Sequence, residues 1–347
     1  MSFAQTLSLA RPIPSGIPSA DDFSVSTAET ILNSTDIPEG SVLVKLTALS
    51  ADPYMRSGVK TGKAGDVIRG FVTGTIVESN GNSSWSVGDT FGAHLPFTSI
   101  QVVDPAKTAF GMWPLKNFLT EQNIQLGLGL FGMPGSTAYG GLIDILQPLQ
   151  GETIFISAAS GAVGSLVGLL AKKMYNCRVI GSAGGPEKCK VLLDLGYFDA
   201  ALDYKQHSTA DSLTESLKKA APDGIDMYFE NVGGIHFDAA FRSLRTKGRI
   251  AICGCISQYN KGADEPSGNT IDISAMIYTQ QRIQGFLCGE YLKGAKLNFF
   301  EDIARLYSSG QIKLPSDTVF NGIESWPEGF ASLFTGKKMG KVVVKLS

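Results

Sequence analysis

Between Gly151 and Gly164 the chain reads Gly-Glu-Thr-Ile-Phe-Ile-Ser-Ala-Ala-Ser-Gly-Ala-Val-Gly. A short apolar run, Ile154 to Ala158, stops abruptly at small residues. Gly161 and Gly164 follow, three apart. An apolar helical pattern starts at Ala162 and runs through Val163, Leu166, Val167, Leu169 and Leu170. That order is strand, tight turn, helix. Small residues let a backbone approach a pyrophosphate, and the free N–H groups of a helix start favour its negative charge. The first glycine of the usual G-x-G-x-x-G pattern is Ala159 here. The same glycines could serve strand–helix packing alone, but the flanking strand and helix favour a dinucleotide.

The rest of the chain must accommodate that unit. A length of 347 residues leaves room for two domains. Net charge is −2, so no basic field points to nucleic acid or to an anionic membrane, and neither is expected as a partner. No apolar run reaches the ~18 residues of a spanning helix. Met1 to Arg11 lacks the basic start and apolar core of a signal peptide, so a cytoplasmic location is expected. The five cysteines, Cys177, Cys189, Cys253, Cys255 and Cys288, are odd in number and lack a secreted-framework spacing; reduced thiols are expected. Residues 1–176 hold no cysteine and a single histidine, His94, whereas catalytic zinc usually takes three protein ligands. Cys253 and Cys255 are too close for a C-x-x-C knuckle and read as small residues on one side of a buried strand. No metal site is expected.

The first ~130 residues read as mostly β, with strands at 42–46, 71–77, 90–93 and 99–103 punctuated by glycine turns. They suggest a compact, partly barrel-like or sandwich unit. Asp52-Pro53-Tyr54-Met55-Arg56 reads as a helical turn with Asp52 as N-cap and Pro53 at the first helical position. From about Gly132 strand and helix alternate. Helices are expected at 136–146, 186–195, 209–220 and 237–244. Strands are expected at 179–181, 200–202, 225–229, 248–253 and 283–287. This alternation means right-handed crossovers and a doubly wound parallel sheet of the Rossmann kind. An amphipathic helix at 295–308, a helix at 326–334 and a strand at 341–346 form a tail too short for a domain. The tail is expected to return to the N-terminal unit. The division is therefore 1–130 with 291–347 for the mostly β unit and 131–290 for the dinucleotide-binding unit.

A protein that binds NAD usually places an acid ~20 residues past the glycines, to hold the ribose 2′-OH. Here Ser182-Ala183-Gly184-Gly185 ends the second strand without one, and Lys188 follows shortly. A cation among small residues suits a 2′-phosphate, so NADPH is expected. A solvated surface lysine is the alternative for Lys188.

Six motifs stand in order: Asp52-Pro53-Tyr54-Met55-Arg56, Gly132-Met133-Pro134-Gly135-Ser136-Thr137-Ala138-Tyr139, Ala158-Ala159-Ser160-Gly161-Ala162-Val163-Gly164, Ala183-Gly184-Gly185-Pro186-Glu187-Lys188-Cys189, Glu230-Asn231-Val232-Gly233-Gly234 and Ile256-Ser257-Gln258-Tyr259-Asn260. With them the whole chain resembles the zinc-free medium-chain dehydrogenases/reductases. Within these it resembles the double-bond reductases that include leukotriene B4 dehydrogenase/prostaglandin reductase, alkenal reductases and curcumin reductase. The resemblance implies a Rossmann core inside a split, GroES-like catalytic domain. It implies NADPH-dependent reduction of a carbon–carbon double bond conjugated to a ketone or aldehyde carbonyl.

By the same resemblance Lys188 and Tyr204 contact the 2′-phosphate. Ser160, Gly161, Ala162, Val163, Gly164 and Gly184 line the dinucleotide. Asn231, Cys253 and Ser257 hold it further along. Met133, Thr137, Phe286 and Leu287 line the nicotinamide. Tyr259 acts near the nicotinamide ribose and the substrate carbonyl, and Tyr54 sits in the substrate pocket. The group usually carries G-x-N-x-G-K before its last strand, whereas Gly336-Lys337-Lys338-Met339-Gly340-Lys341 puts Lys338 in the asparagine's place. Lys338 is kept as a cofactor contact. A homodimer through edge strands near 271–284 is implied as well.

In that chemistry hydride adds to the carbon β to the carbonyl and negative charge develops on the carbonyl oxygen. A tyrosine with a pKa of ~10 is a neutral donor for it at pH 7. The α-carbon proton could come from water or from Tyr259. A tyrosine that only packs in its loop is the alternative for Tyr259. His94, His207 and His236 read as structural or surface residues. No Ser–His–Asp spacing argues for hydrolysis. A zinc-free NADPH quinone reductase and a non-catalytic NADPH-binding protein remain the other readings.

Overall fold

A computed structural model describes residues 2–30, 36–266, 268–269, 271–294 and 296–346. The chain divides into two compact units, Met1–Met133 with Asp317–Ser347, and Pro134–Ser316.

The second unit is built on six parallel strands. In spatial order they are Ala200–Asp203, Arg178–Ala183, Thr153–Ile156, Ile225–Glu230, Leu244–Ile252 and Arg282–Gly285. Numbered by appearance, that is 3-2-1-4-5-6, the Rossmann order, with its switch point between the first and fourth strands. The apolar runs explain it. Ile154, Phe155 and Ile156 are fully buried, as are Tyr228 and Phe229 beside them. Such continuous burial belongs to strands covered on both faces. Helices Ala162–Tyr175, Pro186–Asp194, Ala210–Ala220 and Ile235–Ser243 make the connections.

Three expectations shift here. The helix expected at 136–146 begins earlier, at Met133–Gly140, and continues as a wider π-type turn, Gly141–Leu146. At that change the Tyr291 ring lies so close that a Cβ on Gly140 would sit 2.1 Å from it. The helix expected from 295 spans Phe299–Ser308; Ala295 itself lies outside the described residues. This helix belongs to the second unit. Asp302 bonds the Tyr139 hydroxyl, Phe299 packs edge-on against Tyr139 at 5.7 Å, and Tyr197 Oη donates to Lys313 O at 2.7 Å. The unit therefore continues through Ser316, past the boundary at 290 drawn from the sequence. Finally, the fifth strand stops at Ile252, so Cys253 and Cys255 lie in the segment beyond it rather than on a strand.

The first unit is a mostly antiparallel sheet ordered Thr318–Asn321, Val342–Lys345, Val42–Ala51, Arg69–Ser79, Thr90–Pro96 and Met112–Pro114, with Ile100–Val103 also on Val42–Ala51. Of the tail expected at 291–347, only the part from Asp317 returns to this unit. Val344 pairs with Leu49, and Trp326, fully buried, donates its Nε1–H to Ser50 O at 2.9 Å. An antiparallel hairpin, Ser2–Leu9 with Phe23–Thr30, precedes the sheet. Asp52 is not a helix cap: helix Met55–Thr61 starts behind Tyr54. Its carboxylate accepts instead from Lys341 Nζ, at 2.9 Å, and from the Ser50 hydroxyl. The Lys341 ammonium is buried, and an unpaired buried charge is strongly unfavourable, so Asp52 serves as its counter-ion.

Candidate active site

The fingerprint turn leaves the first strand through Ser157 and takes a left-handed residue, Ala158, with φ 49°. Helix Ala162–Tyr175 starts at Gly161, which caps it with no side-chain bond. Gly164 is needed for close approach: a Cβ there would lie 2.6 Å from Ala158 O. Ala159 stands where a glycine is usual because the next strand makes room. A Cβ on Gly181 would meet the Ala159 methyl at 2.8 Å. The missing glycine has moved to the neighbouring strand.

Past the second strand, Gly185 N–H donates to Asp203 Oδ1 at 2.7 Å, and Asp203 also accepts from Lys205 N–H at 3.1 Å. One carboxylate thus staples the turns carrying Lys188 and Lys205. Lys188, half-buried in the first turn of Pro186–Asp194, has its pKa lowered by burial and then by Lys205. The Tyr204 phenol lies over Gly184, where a Cβ would meet its oxygen at 2.9 Å. Its ring packs edge-on against His236 at 5.2 Å. His236 is buried, lies 2.9 Å from Ser182 Oγ through Nε2, and burial pushes its pKa down to about 4. It is a neutral buttress for Tyr204.

Past the fourth strand, Asn231 Nδ2 donates to Ser157 O at 2.8 Å. The segment beyond the fifth strand hangs on the same turn: Ile256 N–H donates to Asn231 O at 3.1 Å, and Ser257 donates to Val232 O from N at 3.1 Å and from Oγ at 2.5 Å. Tyr259 ends the short helix Ile256–Gln258 and folds back, its hydroxyl accepting Cys255 N–H at 3.2 Å. Gly254 permits this, since a Cβ there would lie 2.8 Å from that hydroxyl. Burial raises the pKa of Tyr259 and those of the Cys253 and Cys255 thiols. After the sixth strand, Phe286 packs edge-on against Phe229 at 6.1 Å, while Leu287 is exposed.

All parallel strands end on one edge, so Ser160 to Gly164, Gly184, Lys188, Tyr204, Asn231, Cys253, Ser257, Tyr259, Phe286 and Leu287 follow its strands at the same, carboxyl edge. Met133 and Thr137 are buried on the helix Met133–Gly140. Tyr54 and Lys338 belong to the first unit. Tyr54 is partly exposed with its ring edge-on to Phe71 at 6.2 Å, and Lys338 follows the left-handed Gly336 that ends helix Trp326–Thr335. The residues of the second unit fit a phosphorylated dinucleotide. Gly164 leaves the cradle a Cβ would fill, the helix start carries no side-chain cap, and two lysines stand beyond the second and third strands. Among the described residues no three His, Cys, Asp or Glu gather so as to hold a metal ion. None of their helices is long and apolar enough to cross a membrane.

Two family models match, "Zinc-binding dehydrogenase" over residues 162–306 and "N-terminal domain of oxidoreductase" over 6–110. Mouse (Mus musculus) prostaglandin reductase 1 is 39% identical over 332 residues, covering 95% of each chain. The chain belongs to the zinc-free medium-chain dehydrogenases/reductases. Within this family it is also 37% identical over 344 residues to tobacco (Nicotiana tabacum) 2-alkenal reductase (NADP(+)-dependent), covering 96% of this chain and 94% of that one. The crystal structure of CurA from Vibrio vulnificus in complex with NADPH matches this reductase with a TM-score of 0.82 at 33% identity over 99% of both chains.

Sequence reasoning assigned no role to Ser157, Glu230, Cys255 or Lys205, and it left His236 as merely structural. Ser157 and Glu230 lay inside quoted motifs, but a hydrogen bond between positions 73 apart has no local signal.

Proposed function

We propose that this reductase uses NADPH to reduce a carbon–carbon double bond conjugated to a ketone or aldehyde carbonyl. The observation that carries the reading is Tyr259: a neutral phenol at the carboxyl edge, fixed by Cys255 N–H as acceptor and so keeping its own proton to donate. The relatives named for alkenal and prostaglandin reduction support it.

When bound, NADPH supplies the hydride that adds to the carbon β to the carbonyl. Lys188 and Tyr204 hold its 2′-phosphate, the turn from Ser160 to Gly164 with Gly184 its pyrophosphate half, and Asn231 and Ser257 its ribose side. Cys253, Met133, Thr137, Phe286, Leu287 and Lys338 are proposed as further contacts. Tyr259 donates to the carbonyl oxygen as it gathers charge, an interaction worth ~3 kcal/mol for one well-aimed donor. Tyr54 is proposed as a substrate-contacting side chain. A homodimer is proposed through the edge strand Arg282–Gly285 and helix Ile273–Thr279, where Ile273, Ile277 and Tyr278 are all more than 70% exposed; elution as a monomer on gel filtration contradicts it. The five cysteines are free thiols, which supports a reducing, cytoplasmic setting.

The test is NADPH consumption with a panel of α,β-unsaturated ketones and aldehydes, with product identified as the saturated carbonyl. Turnover of quinones without enones favours quinone reduction instead. NADPH binding without turnover of either leaves a non-catalytic binder.

A further inference from the structure

Glu230 ends the fourth strand at the switch point and is fully buried, as is the Tyr228 phenol beside it. Its Oε1 accepts three hydrogen bonds: from Val232 N–H at 2.5 Å, Gly233 N–H at 2.9 Å and Ser157 Oγ at 3.1 Å. Its backbone carbonyl accepts two more, from Cys253 N–H at 2.9 Å and Gly254 N–H at 3.1 Å. One residue therefore joins the ends of the first, fourth and fifth strands. The two amides it holds belong to the turn that carries Asn231 and on which the segment with Tyr259 hangs, through Asn231 O and Val232 O. Ser157, bonded to the carboxylate, also accepts Asn231 N–H at 2.9 Å. A carboxylate withdrawn from water is costly, and a strand end needs no such residue for pairing. What it achieves is to hold the first half of a turn with two left-handed glycines, Gly233 and Gly234, whose far end Asn269 holds by accepting Gly234 N–H at 3.0 Å and donating to Gly234 O at 2.8 Å.

We infer that Glu230 is the positioning residue of this site, its carboxyl oxygen setting Asn231 for the cofactor and, through the 231–234 turn, Tyr259 for the substrate. Glu230 touches neither reactant. The requirement is an acceptor oxygen, not a charge. The inference rests on the reading of Asn231 and Tyr259 given above.

The test uses the full chain with Glu230→Gln, Glu230→Ala and Ser157→Ala. It measures thermal melting, NADPH affinity by fluorescence titration and enone kinetics. Glu230→Gln keeps an oxygen for the three donors and rescues: NADPH Kd and kcat stay within ~3-fold of native. Glu230→Ala, while still folded, raises Kd ~10-fold and lowers kcat ~100-fold, because small misplacements of reacting groups cost that much. If Glu230→Ala does not fold, Ser157→Ala decides, with an expected ~3-fold or larger rise in NADPH Kd at a near-native melting temperature. Unchanged Kd and kcat in folded Glu230→Ala, or in Ser157→Ala, overturn the inference. So does Glu230→Gln behaving like Glu230→Ala, which would assign the effect to charge. Native protein that binds NADPH but turns over no enone sinks the enone reading alone; the Kd series still decides the role of Glu230.

Discussion

The backbone N–H of Cys255 donates to the Tyr259 hydroxyl at 3.2 Å, four positions along the chain. The bond makes the phenol oxygen an acceptor from the protein and leaves its own proton free for another acceptor. The same fold-back buries the hydroxyl, which raises its pKa.

Tyr259→Phe removes the phenol as a donor and, with it, the acceptor of Cys255 N–H. The expected outcome is a kcat loss of ~100-fold or more, with NADPH affinity little changed. The pH dependence follows in sign. The active form is the protonated phenol, its pKa is raised, and activity is therefore full below the ordinary tyrosine value of ~10 and lost only above it. A pH–rate profile of native protein and Tyr259→Phe checks both. A kcat unchanged by the substitution, or a Tyr259-dependent decline centred near neutrality, contradicts the role.

Lys188 stands in the first turn after the second strand, beside the turn of Lys205. Lys188→Ala should raise the Kd for NADPH ~10-fold or more, the worth of one charge-assisted bond, and leave NADH nearly unaffected. Titrating both cofactors by fluorescence decides it. Equal losses for the two would mean that Lys188 has no part in reading the 2′-phosphate.

The cradle at Gly164 is steric. Gly164→Ala puts a methyl 2.6 Å from Ala158 O, against backbone that cannot step aside. It should cost ~1–3 kcal/mol of stability, as overpacking does, and weaken NADPH. Gly58→Ala is the control, because a Cβ there meets nothing within 4 Å and the residue sits in helix Met55–Thr61. It should be neutral or stabilising by up to ~1 kcal/mol. Denaturant unfolding of the pair that showed equal effects would refute the steric account.

His236 couples stability to pH. Its folded pKa, about 4, lies below the ~6.5 of an unfolded histidine, so the unfolded chain binds the extra proton first as pH falls. The stability this group contributes is complete above the unfolded pKa. It declines as pH falls toward the folded one, by about 3 kcal/mol in all. Melting temperatures measured from pH 7 to pH 4 should fall less steeply in His236→Gln than in the native protein. Parallel slopes for the two would exclude His236 as the source.

How far the chain could be read by eye varies with the range of the interactions. Strand, turn and helix at Gly151 to Gly164 were legible because apolar runs and small residues act over a few positions. So was the absence of an acid after the second strand. The Ser2–Leu9 hairpin was not, since its strand Ser-Phe-Ala-Gln-Thr-Leu-Ser-Leu mixes polar and apolar residues and owes its conformation to the partner at Phe23–Thr30. Asp52 looked like a helix cap because aspartate before proline usually is one; its actual partner lies 289 positions away. Helix Phe299–Ser308 looked like part of the tail until Tyr139 and its bond to Asp302 placed it in the second unit.

The sequence by itself determined the alternation of strands and helices, the glycine turn between the first strand and its helix, and a lysine without an acid after the second strand. These depend on propensity, periodicity and spacing, which are local. Only the tertiary structure decided that Gly181 makes room for Ala159, that His236 backs Tyr204, and that Glu230 gathers three strand ends under Asn231 and Tyr259. Each of these joins residues from different strand–helix units, and parallel crossovers bring such residues together only when the sheet has formed.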